Sequence, residues 1–490
     1  MIIRGCFHLI YPLQFFILAA CIFAPFICLG SYSNHERSGP ERSLVIVILD
    51  QESDNNSNTL VTEFRADLEK NSQGDCHVIL TTVSGNFSGE IGAWTVIPLI
   101  EKLSVNPNLS SSWYFFALPM TRINFPKLLN LLNRYNSEEP IWLGYGLHDR
   151  EPTIIHHFSL LTKAKDNFLY PLFPSGFALS QGLVSSLAER WNLNNTAELH
   201  PSEFAIDASH ELALFIWNEG QGPTLTHSSR FCWVKGPNCV SYPVVQSTCR
   251  PLVQTKEIFF AVKTCQKFHR TRVPIVLQTW AKKTHHFALF SDTPDFMVPG
   301  LVDLKVPNTE HGHCSKTEAI IKYVEQIMME QPNIGWLVIA DDDTILSVAR
   351  LQEFLSCHSQ IETPLALGER YGFRVMEPEN GYNYLTGGGG MVINRAAVKL
   401  LAKECRCPAD NFPDDMYIMG ICLSKASIPL VHSSLFHQAR PDDYAQEYLA
   451  MQKPISFHKH WQVNPFEVYK NWFDPDFPAG TPKRNVHNEL

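Results

Sequence analysis

The chain has 490 residues, which is enough for two or three domains. Its hydrophobic fraction of 45% and its charged fraction of 18% are typical of a globular protein that buries a substantial core. The formal net charge of −9 offers no basic surface for a phosphate backbone, so the composition excludes a nucleic-acid-binding protein.

The chain begins with an apolar leader. Residues 9–29 carry no charge, and residues 28–30 (Cys-Leu-Gly) resemble a small-residue cleavage site. We predict that residues 1–30 are a cleaved signal peptide. The alternative is an uncleaved membrane anchor, but Pro12 and Pro25 make the segment a poor spanning helix. Either interpretation places the rest of the chain in the secretory lumen.

Cysteines and glycosylation sequons agree with that compartment. Three of the 13 cysteines lie in the leader, which leaves ten, an even number, for disulfides in an oxidising environment. No paired C-x-x-C spacing indicates a zinc site. The N-x-[ST] glycosylation sequons, all in the first half of the chain, are Asn55, Asn86, Asn108 and Asn194.

The chain ends in a candidate retrieval signal. Residues 487–490 (His-Asn-Glu-Leu) resemble a KDEL-type tail, although Asn replaces the usual acidic residue. We therefore predict a protein of the endoplasmic reticulum lumen, soluble after signal cleavage, with a retrieval receptor as one partner.

Strand and helix patterns alternate along the chain, which predicts an α/β fold. One helical pattern covers residues 125–135. A stretch containing Pro and Cys, residues 235–251, is predicted to be a linker. Apolar runs predict strands at residues 43–50, 76–82, 112–117, 258–264, 273–278, 286–290 and 336–340.

The two halves resemble each other in sequence, and the matching segments keep their order. Residues 113–117 (WYFFA) match 336–340 (WLVIA), and 226–231 (THSSRF) match 431–436 (VHSSLF). We predict a tandem duplication, with one α/β domain at residues 42–234 and another at 252–486.

The first copy lacks the ligand-type side chains of the second at the corresponding positions. Leu118-Pro119-Met120 stands where the second copy has three aspartates. Cys232 stands in place of a histidine and is expected to form a disulfide with Cys239 or Cys249. Only Asp207, which lies near the position that corresponds to Asp415, keeps a carboxylate. The first copy is therefore predicted to be a degenerate, non-catalytic domain.

A cluster of carboxylates follows the strand predicted at residues 336–340. Asp341, Asp342 and Asp343 arrive together where that strand ends, and such adjacent anions favour a neutralising cation. Because alternate side chains of an extended segment point the same way, Asp341 and Asp343 are expected to converge while Asp342 points elsewhere. Oxygen ligands favour Mg²⁺, Mn²⁺ or Ca²⁺. The alternative is a solvated acidic turn or a helix N-cap.

Two further segments of the second copy suit the same site. A glycine run at residues 387–390 precedes an apolar strand-like segment and lets backbone approach a ligand closely. Asp414 and Asp415 precede an apolar helical pattern. They either cap that helix or supply a general base for an acceptor hydroxyl.

Two basic side chains complete the pattern. An imidazole such as His437 completes a carboxylate metal site, although a lone histidine is more often packed in a core. Lys316 is a candidate for neutralising phosphate. A cation held by carboxylates, a glycine-rich wall, a lysine and a separate carboxylate base together predict group transfer from a nucleotide diphosphate donor.

The second copy resembles the fringe-like β-1,3-glycosyltransferases over about residues 256–470, with the motifs in the family's order. The motifs that carry the resemblance are Ile258-Phe-Phe-Ala-Val-Lys-Thr264, Lys267-Phe268-His269, Thr279-Trp280, Asp341-Asp342-Asp343, the glycine run, Pro413-Asp414-Asp415 and Leu435-Phe436-His437.

That resemblance implies a GT-A (Rossmann-like) fold, an inverting reaction, a UDP-sugar donor, and Mn²⁺ or another divalent cation. Together with the internal repeat, it predicts tandem GT-A-like domains, the first a degenerate copy. It assigns Asp343, Asp341 and His437 to the metal, and Asp415 or Asp414 to the base. Gly420 follows Pro413 by seven residues instead of the family's six, which leaves the choice between the two aspartates open. The residues that we predict to bind the nucleotide sugar are Thr264, Lys316, Asp341, Asp342, Gly388, Gly389 and Gly390.

Within the family, residues 436–441 and 455–461 are most similar to the members that add glucose to O-linked fucose on thrombospondin type 1 repeats. The resemblance thus implies UDP-glucose as donor and folded O-fucosylated repeats as acceptor. The alternatives are a fringe-type N-acetylglucosaminyl- or galactosyltransferase acting on another O-glycan, and a non-catalytic luminal lectin or quality-control module.

Overall fold

A computed structural model describes residues 43–71, 77–157, 168–193, 203–244, 249–358, 362–377 and 379–473. The predicted signal peptide, the sequon at Asn194 and the retrieval tail lie outside the described residues. None of the helices within these ranges is long and apolar enough to cross a bilayer.

The secondary structure alternates strands and helices throughout the described residues. The strands are β1 (Ser43–Ile48), β2 (His77–Thr82), β3 (Trp113–Ala117), β4 (Thr121–Ile123), β5 (Trp142–Gly144), β6 (Gly146–Leu147), β7 (Tyr170–Pro171), β8 (Phe177–Ser180), β9 (Phe204–Ala205), β10 (Thr226–His227), β11 (Ser241–Pro243), β12 (Ile258–Lys263), β13 (His286–Ser291), β14 (Leu301–Asp303), β15 (Trp336–Asp341), β16 (Thr344–Leu346), β17 (Ala366–Gly368), β18 (Arg370–Phe373), β19 (Tyr382–Leu385), β20 (Met391–Asn394), β21 (Leu430–His432) and β22 (Ser456–His458). The helices are α1 (Asn55–Asn71), α2 (Val83–Asn86), α3 (Ile97–Val105), α4 (Phe125–Leu132), α5 (Gln181–Leu193), α6 (Ala208–Trp217), α7 (Val273–Gln278), α8 (Cys314–Glu330), α9 (Val348–Ser356), α10 (Arg395–Glu404), α11 (Asp414–Met416), a π-helix (Tyr417–Cys422), α12 (Leu423–Lys425), α13 (Gln446–Ala450) and α14 (Pro465–Phe473).

The first half is organised around a six-stranded mixed sheet of the described residues, in the order β2-β1-β3-β8-β5-β10. Strand β1 pairs in parallel with β2 and β3, β8 runs antiparallel to β3 and β5, and β10 is parallel to β5. The central strand β1 is apolar without interruption because both of its faces are covered. Val45 packs with Leu99 of α3 on one face, while Ile46 packs with Leu128 of α4 on the other.

The second half has a seven-stranded mixed sheet of described residues, in the order β14-β13-β12-β15-β20-β17-β21. Its central strand β15 is also covered on both faces. Leu337 packs with Ile320 of α8, and Val338 packs with Val276 of α7. Apart from the edge strand β14, this sheet repeats the strand order and the strand directions of the first sheet.

One predicted strand is wrong, and the others are present with small shifts of their ends. Residues 273–278 form helix α7. The run of apolar and β-branched side chains suits a strand, but Val273 and Val276 are spaced by three residues and both are buried, as one helix face requires. Pro274, near the start of the helix, is also compatible with its first turn.

The two halves share packing. Strand β9 of the first half pairs antiparallel with β18 of the second, in a small sheet ordered β19-β18-β9. Val375 and Met376 of the second half belong to the apolar core of the first. The predicted linker contributes β11, which pairs with β4, so part of that segment is structured within the first half.

The described cysteines form disulfides, and the described sequons lie at the surface. The bonds are Cys232–Cys239, Cys249–Cys357, Cys314–Cys407 and Cys405–Cys422. Among the described cysteines only Cys265 is free, and it is buried. The prediction of disulfides is confirmed, and Cys232 pairs with Cys239. The sequon residues Asn55, Asn86 and Asn108 are exposed.

Candidate functional site

The three adjacent aspartates lie at the carboxyl edge of the second sheet. Strands β12 and β15 run parallel with Lys263 opposite Asp341, so both strands end at this edge. The side chain of Asp341 is 28% exposed, whereas Asp342 and Asp343 are buried. The crevice outside the carboxyl ends of the strands is the usual ligand position in open α/β sheets.

Asp341 and Asp343 share this position with His458. Strand β22 pairs with β16 so that His458 lies opposite Thr344, the residue after Asp343. His458 Nε2 is 3.2 Å from Asp343 Oδ1 and 3.7 Å from Asp341 Oδ2. His458 Nδ1 donates to the carbonyl oxygen of Gln438 at 3.0 Å, which directs Nε2 toward the carboxylates. One ligand atom from each of the three residues lies within 4.8 Å of the others. Two carboxylates and an imidazole fit a divalent cation such as Mn²⁺.

The structure does not bring His437 to this group. His437 Nδ1 lies 3.1 Å from the carbonyl oxygens of Leu435 and Ser456, and Nε2 lies 3.0 Å from Gln452 Oε1. Burial lowers the pKa of His437 to about 4, so the ring is a neutral core side chain. The assignment of His437 to the metal is therefore corrected, because the imidazole beside the carboxylates is His458.

Arg272 and Thr264 hold the remaining carboxylate oxygens. Thr264 Oγ1 donates to Asp342 Oδ2 at 2.7 Å, and Arg272 Nη1 lies 3.0 Å from both Asp342 Oδ1 and Asp343 Oδ2. Burial raises the pKa of Asp342 to about 6, against the hydrogen bonds from Thr264 and Arg272. Burial alone would also raise the pKa of Asp343, but His458 and Arg272 hold that pKa well below its usual range. Asp343 is therefore the more firmly ionised of the two.

Lys263 links the aspartate cluster to the second acidic pair. Its ammonium lies 3.0 Å from Asp341 Oδ1 and 2.7 Å from Asp414 Oδ2. Thr317 Oγ1 also donates to Asp414 Oδ2, at 2.6 Å. Burial alone would raise the pKa of Asp414, but the charge and hydrogen bond of Lys263 keep that pKa below its ordinary value. Asp414 is therefore ionised and paired with Lys263, and its Oδ2 accepts both of these bonds.

Asp415 has a different environment. Asp415 Oδ1 accepts the N–H of Met416 at 2.8 Å, and Oδ2 faces the N–H of Gly387 at 3.4 Å. Burial and the neighbouring charge of Asp414 raise the pKa of Asp415 to about 6. The charge of Lys263 acts against this rise, but within the described ranges no cation lies within 4.0 Å of Asp415. A carboxylate with a pKa near neutral and no close ion pair suits a general base.

A π-helical turn accommodates the extra residue in this segment. Residues Tyr417–Cys422 form a π-helix directly after α11, and Gly420 lies within it. One inserted residue in a helix is absorbed as a π-turn, which leaves the flanking turns in place. Asp414 and Asp415 precede this turn and face different partners, Lys263 and Gly387 respectively.

The glycine run is ordered and closely packed. A Cβ on Gly388 would lie 2.3 Å from His458 Nδ1, so only glycine lets this histidine approach. The N–H of Gly389 donates to Gln438 Oε1 at 2.9 Å, and the N–H of Gly390 donates to the carbonyl of Gly387 at 3.0 Å. Gly390 has a φ of +99°, which favours glycine. The run positions the histidine, and the N–H groups of Gly389 and Gly390 bond within the protein.

Lys316 lies on the other side of Thr264. Its ammonium donates to the Thr264 carbonyl at 2.8 Å and to Asn308 Oδ1 at 2.9 Å. Burial lowers the pKa of Lys316. The structure therefore places Lys316 beside the predicted nucleotide region, behind the end of β12. Its two hydrogen bonds go to Thr264 and Asn308, and not to the aspartates.

Comparison with known proteins identifies the family. The Fringe-like family profile matches residues 253–479. A β-1,3-glucosyltransferase of Homo sapiens is 47% identical over 387 residues, which are 78% of this chain and 75% of that relative. The Mus musculus β-1,3-glucosyltransferase is 45% identical over 388 residues, 78% of this chain and 77% of the relative. The chain belongs to the fringe-like β-1,3-glycosyltransferases.

More distant relatives agree with that membership. The lunatic fringe β-1,3-N-acetylglucosaminyltransferase of Danio rerio is 29% identical over 210 residues, 38% of this chain and 54% of the relative. Among solved structures, a glycosyltransferase involved in glycosylation of the major capsid of PBCV-1 covers 44% of this chain with 13% identity. Its TM-score of 0.26 is too low to indicate a close similarity of fold.

Three side chains of the β-1,3-glycosyltransferase site were not assigned a role by sequence reasoning. Lys263 follows the apolar part of β12, and a cation at a buried strand end is a recognisable signal. Arg272 stacks on the ring of Phe268 at 3.8 Å, a contact that the sequence does not reveal. His458 is the last residue of β22. The sequence does not show that β22 pairs with β16, which is the pairing that brings His458 to the aspartates.

The first half of the β-1,3-glycosyltransferase holds a separate cluster of titratable groups. His156 lies between two carboxylates, with Nδ1 2.8 Å from Asp149 Oδ2 and Nε2 3.3 Å from Asp207 Oδ2. Its ring stacks on His210 at 4.0 Å between centroids. Burial would lower the pKa of His156, but Asp149 and Asp207 raise it to about 9. Asp149, His156 and His210 have the spacing of a metal group. However, both ring nitrogens of His156 already face carboxylates, so the cluster is satisfied as a buried ion network.

Proposed function

We propose that this β-1,3-glycosyltransferase moves glucose from UDP-glucose to the 3-hydroxyl of fucose O-linked to folded thrombospondin type 1 repeats, with inversion at the anomeric carbon. The observation that carries the proposed chemistry is the Asp341, Asp343 and His458 group with a separate carboxylate, Asp415, at the same sheet edge. Glucose rests on the names of the human and mouse relatives. Fucose and the repeat rest on the similarity of residues 436–441 and 455–461 to that branch of the family.

The donor side of the site would carry positive charge. Asp341, Asp343 and His458 would hold Mn²⁺ or another divalent cation, because their oxygen and nitrogen atoms fit such ions. When bound, that cation supplies charge stabilisation for the leaving diphosphate. Arg272 reaches the carboxylates through Nη1, and its other N–H groups can donate to phosphate oxygens.

The nucleotide would extend from the aspartates toward Thr264. Thr264 already holds Asp342, and Lys316 supports the backbone of Thr264 from behind. Gly388 and its neighbours in the glycine run form the opposite wall and give His458 room. These residues would therefore bind and orient the donor without taking part in proton transfer.

Asp415 would accept the proton of the acceptor hydroxyl as that oxygen attacks the anomeric carbon. Its raised pKa keeps it basic enough to take a proton, yet largely ionised at neutral pH. Asp414 is the weaker base of the two, because its Oδ2 accepts from Lys263 and Thr317 and the charge of Lys263 keeps its pKa below the ordinary value. We infer that Asp414 holds Lys263 in place and that Asp415 is the base.

The first half would be a degenerate GT-A-like copy, with the chain divided into residues 42–234, a joining segment 235–251 and residues 252–486. The shared strand order and directions of the two sheets support duplication. The end of β3 leads into Leu118, Pro119 and Met120, which offer no metal ligand. We infer that this half binds no nucleotide sugar.

We also propose residence in the lumen of the endoplasmic reticulum. The leader pattern, the exposed sequons, the disulfides and the retrieval-like tail support this location. Deleting residues 487–490 should release the protein into the medium. Unchanged retention after that deletion would instead favour a membrane anchor within residues 9–29.

The proposed function is tested by a transfer assay on the full-length protein. UDP-glucose, UDP-galactose and UDP-N-acetylglucosamine are offered in turn, each with a folded O-fucosylated thrombospondin repeat and with a simple fucoside. We expect transfer from UDP-glucose with Mn²⁺, and a β-1,3 linkage in the product. Preferred transfer of N-acetylglucosamine or galactose would support a fringe-type activity. Absence of transfer and of donor hydrolysis with every donor would support a lectin or quality-control role.

A further inference from the structure

We propose that Trp94 and Asn383 form a positioning pair, through which the degenerate first half holds the general base of the second half in its productive place. The inference rests on the proposed role of Asp415 as the base. It assigns to the first half a positioning role in catalysis, in addition to covering apolar surface.

The pair is made of two hydrogen bonds between the halves. Trp94 Nε1 donates to Asn383 Oδ1 at 2.9 Å. Asn383 Nδ2 donates to the carbonyl of Ile91 at 3.0 Å. Both polar ends of one amide are therefore used by the first half, which fixes the position and the rotation of the side chain. The backbone is equally close here, because a Cβ on Gly92 would lie 2.7 Å from the carbonyl oxygen of Val375.

Asn383 sits in the middle of β19, between two tyrosines that face the base. Successive side chains of a strand point to opposite faces, so Tyr382 and Tyr384 lie on the face opposite to that of Asn383. Both tyrosines pack on Gly420, where an added Cβ would lie 2.9 Å from the Tyr382 ring and 3.0 Å from Tyr384 Cβ. Gly420 belongs to the π-helix that begins two residues after Asp415.

The same strand also reaches the base from its other end. Strand β19 ends at Leu385, and two residues later the N–H of Gly387 faces Asp415 Oδ2 at 3.4 Å. A Cβ on Gly387 would lie 3.8 Å from Asp415 Cβ. The position of β19 therefore bears on Asp415 through the π-helix and through the glycine run.

The first half also holds the β18–β19 hairpin that carries Asn383. Strand β19 pairs with β18, and β18 pairs with β9 of the first half through Gly372–Ala205 and Phe373–Phe204. The guanidinium of Arg370, at the start of β18, lies 4.5 Å from the centroid of the Trp94 ring. Trp94 thus contacts both strands of the hairpin, one through its ring and the other through its N–H.

The donor side does not depend on this hairpin in the same way. Asp341 ends β15 in the seven-stranded sheet and Asp343 follows it, while His458, which also packs on Gly388, is held by the pairing of β16 with β22 and by its bond to Gln438. A shift of β19 would therefore move the base relative to the bound donor. A misplacement of about 1 Å can cost about 10²-fold in rate, so the effect should fall on kcat and leave donor binding intact.

The test is Trp94→Phe in the full-length protein, which removes the N–H donor and keeps an aromatic ring over Arg370. The matched control is Trp142→Phe in the same half. Trp142 is buried, and its Nε1 has no hydrogen-bond partner among the described residues. The control therefore loses ring volume without losing a bond between the halves. Measured quantities are kcat, the KM of each substrate, Mn²⁺-dependent binding of UDP, and Tm.

We expect Trp94→Phe to lower kcat about tenfold or more, with UDP affinity and donor KM within twofold of wild type. Asn383→Ala should behave alike, and combining it with Trp94→Phe should add little, because both remove the same contact. Trp142→Phe should keep kcat within twofold, even with a lower Tm. An unchanged kcat in Trp94→Phe and Asn383→Ala would overturn the proposal, as would equal losses of kcat in Trp94→Phe and Trp142→Phe. If Asp415→Asn keeps full activity, the base assignment itself fails, and that result is distinct from either outcome above.

Discussion

The two adjacent aspartates, Asp414 and Asp415, are predicted to respond in opposite ways to the same isosteric substitution. Asp415→Asn should abolish transfer while the protein stays folded and binds UDP. Asp414→Asn should act mainly on stability, because it removes the partner that lies 2.7 Å from the ammonium of Lys263. The contrast separates a catalytic carboxylate from a structural one.

The magnitudes follow from the contacts of each carboxylate. Removing one partner of a buried ion pair costs about 3–5 kcal/mol. Asp341 remains 3.0 Å from Lys263, so we expect about 3 kcal/mol, the lower end, for Asp414→Asn. Asp415 forms no ion pair within 4.0 Å among the described residues, and burial beside Asp414 raises its pKa to about 6. Ionised Asp415 therefore opposes folding at pH 7, and Asp415→Asn should be at least as stable as wild type.

The rate effect has its own size and pH dependence. Loss of general-base help costs about 10²–10⁴-fold in kcat. In wild type the base must be deprotonated, so the rate should fall as the pH decreases through the Asp415 pKa of about 6. At pH 5 only about a tenth of this carboxylate would be ionised, which predicts about a tenfold lower rate than at pH 7.5.

The assay is a pH series of kcat and KM with a saturating donor, together with urea unfolding of both variants. UDP binding by calorimetry controls for the donor site. If Asp415→Asn retains wild-type turnover while Asp414→Asn is stable and inactive, the assignment of base and structural partner must be reversed. A wild-type rate that stays constant between pH 5 and 7.5 would also refute a base with a pKa near 6.

Three further predictions concern other parts of the molecule. His458→Ala should abolish Mn²⁺-dependent UDP binding in calorimetry, whereas His437→Ala should keep that dependence and lower Tm; the reverse pattern would restore His437 as the ligand. His156→Gln should lower the free energy of unfolding by about 3 kcal/mol at pH 6, because the pKa of His156 is raised from 6.5 to about 9 in the folded protein. This stabilisation is fully present below pH 6.5 and is lost as the pH rises through 9. Urea unfolding at pH 6 and pH 9.5 checks this, and a pH-independent difference from wild type would contradict it. A fragment of residues 252–490 should be insoluble when expressed alone, because Val375 and Met376 lose the core that buries them; a soluble, monomeric fragment would show that the halves are independent.

The sequence by itself determined the architecture of both sheets to a large extent. Uninterrupted apolar runs such as those of β1 and β15 can be satisfied only where both faces are covered, so they predict central strands without further information. Asp341 is the last residue of such a strand, and Asp343 follows it by two residues. Because a strand ends at the sheet edge, their place at the site was also predictable from local sequence.

The tertiary structure alone decided which distant side chains meet that edge. His437 and His458 lie in similar apolar contexts, and only the pairing of β22 with β16 places His458 beside Asp343. The same holds for residues 273–278, whose β-branched side chains favour a strand locally, while packing of Val273 and Val276 on the sheet favours a helix.

The division of labour between Asp414 and Asp415 and the bond between Trp94 and Asn383 are of the same kind. Each depends on a contact between segments that are far apart in the chain. Periodicity and strand-end chemistry act between neighbouring residues, so they can be recognised in the sequence. The partner across a sheet or across the two halves is set by strand register and core packing, which exist only once the whole chain has folded.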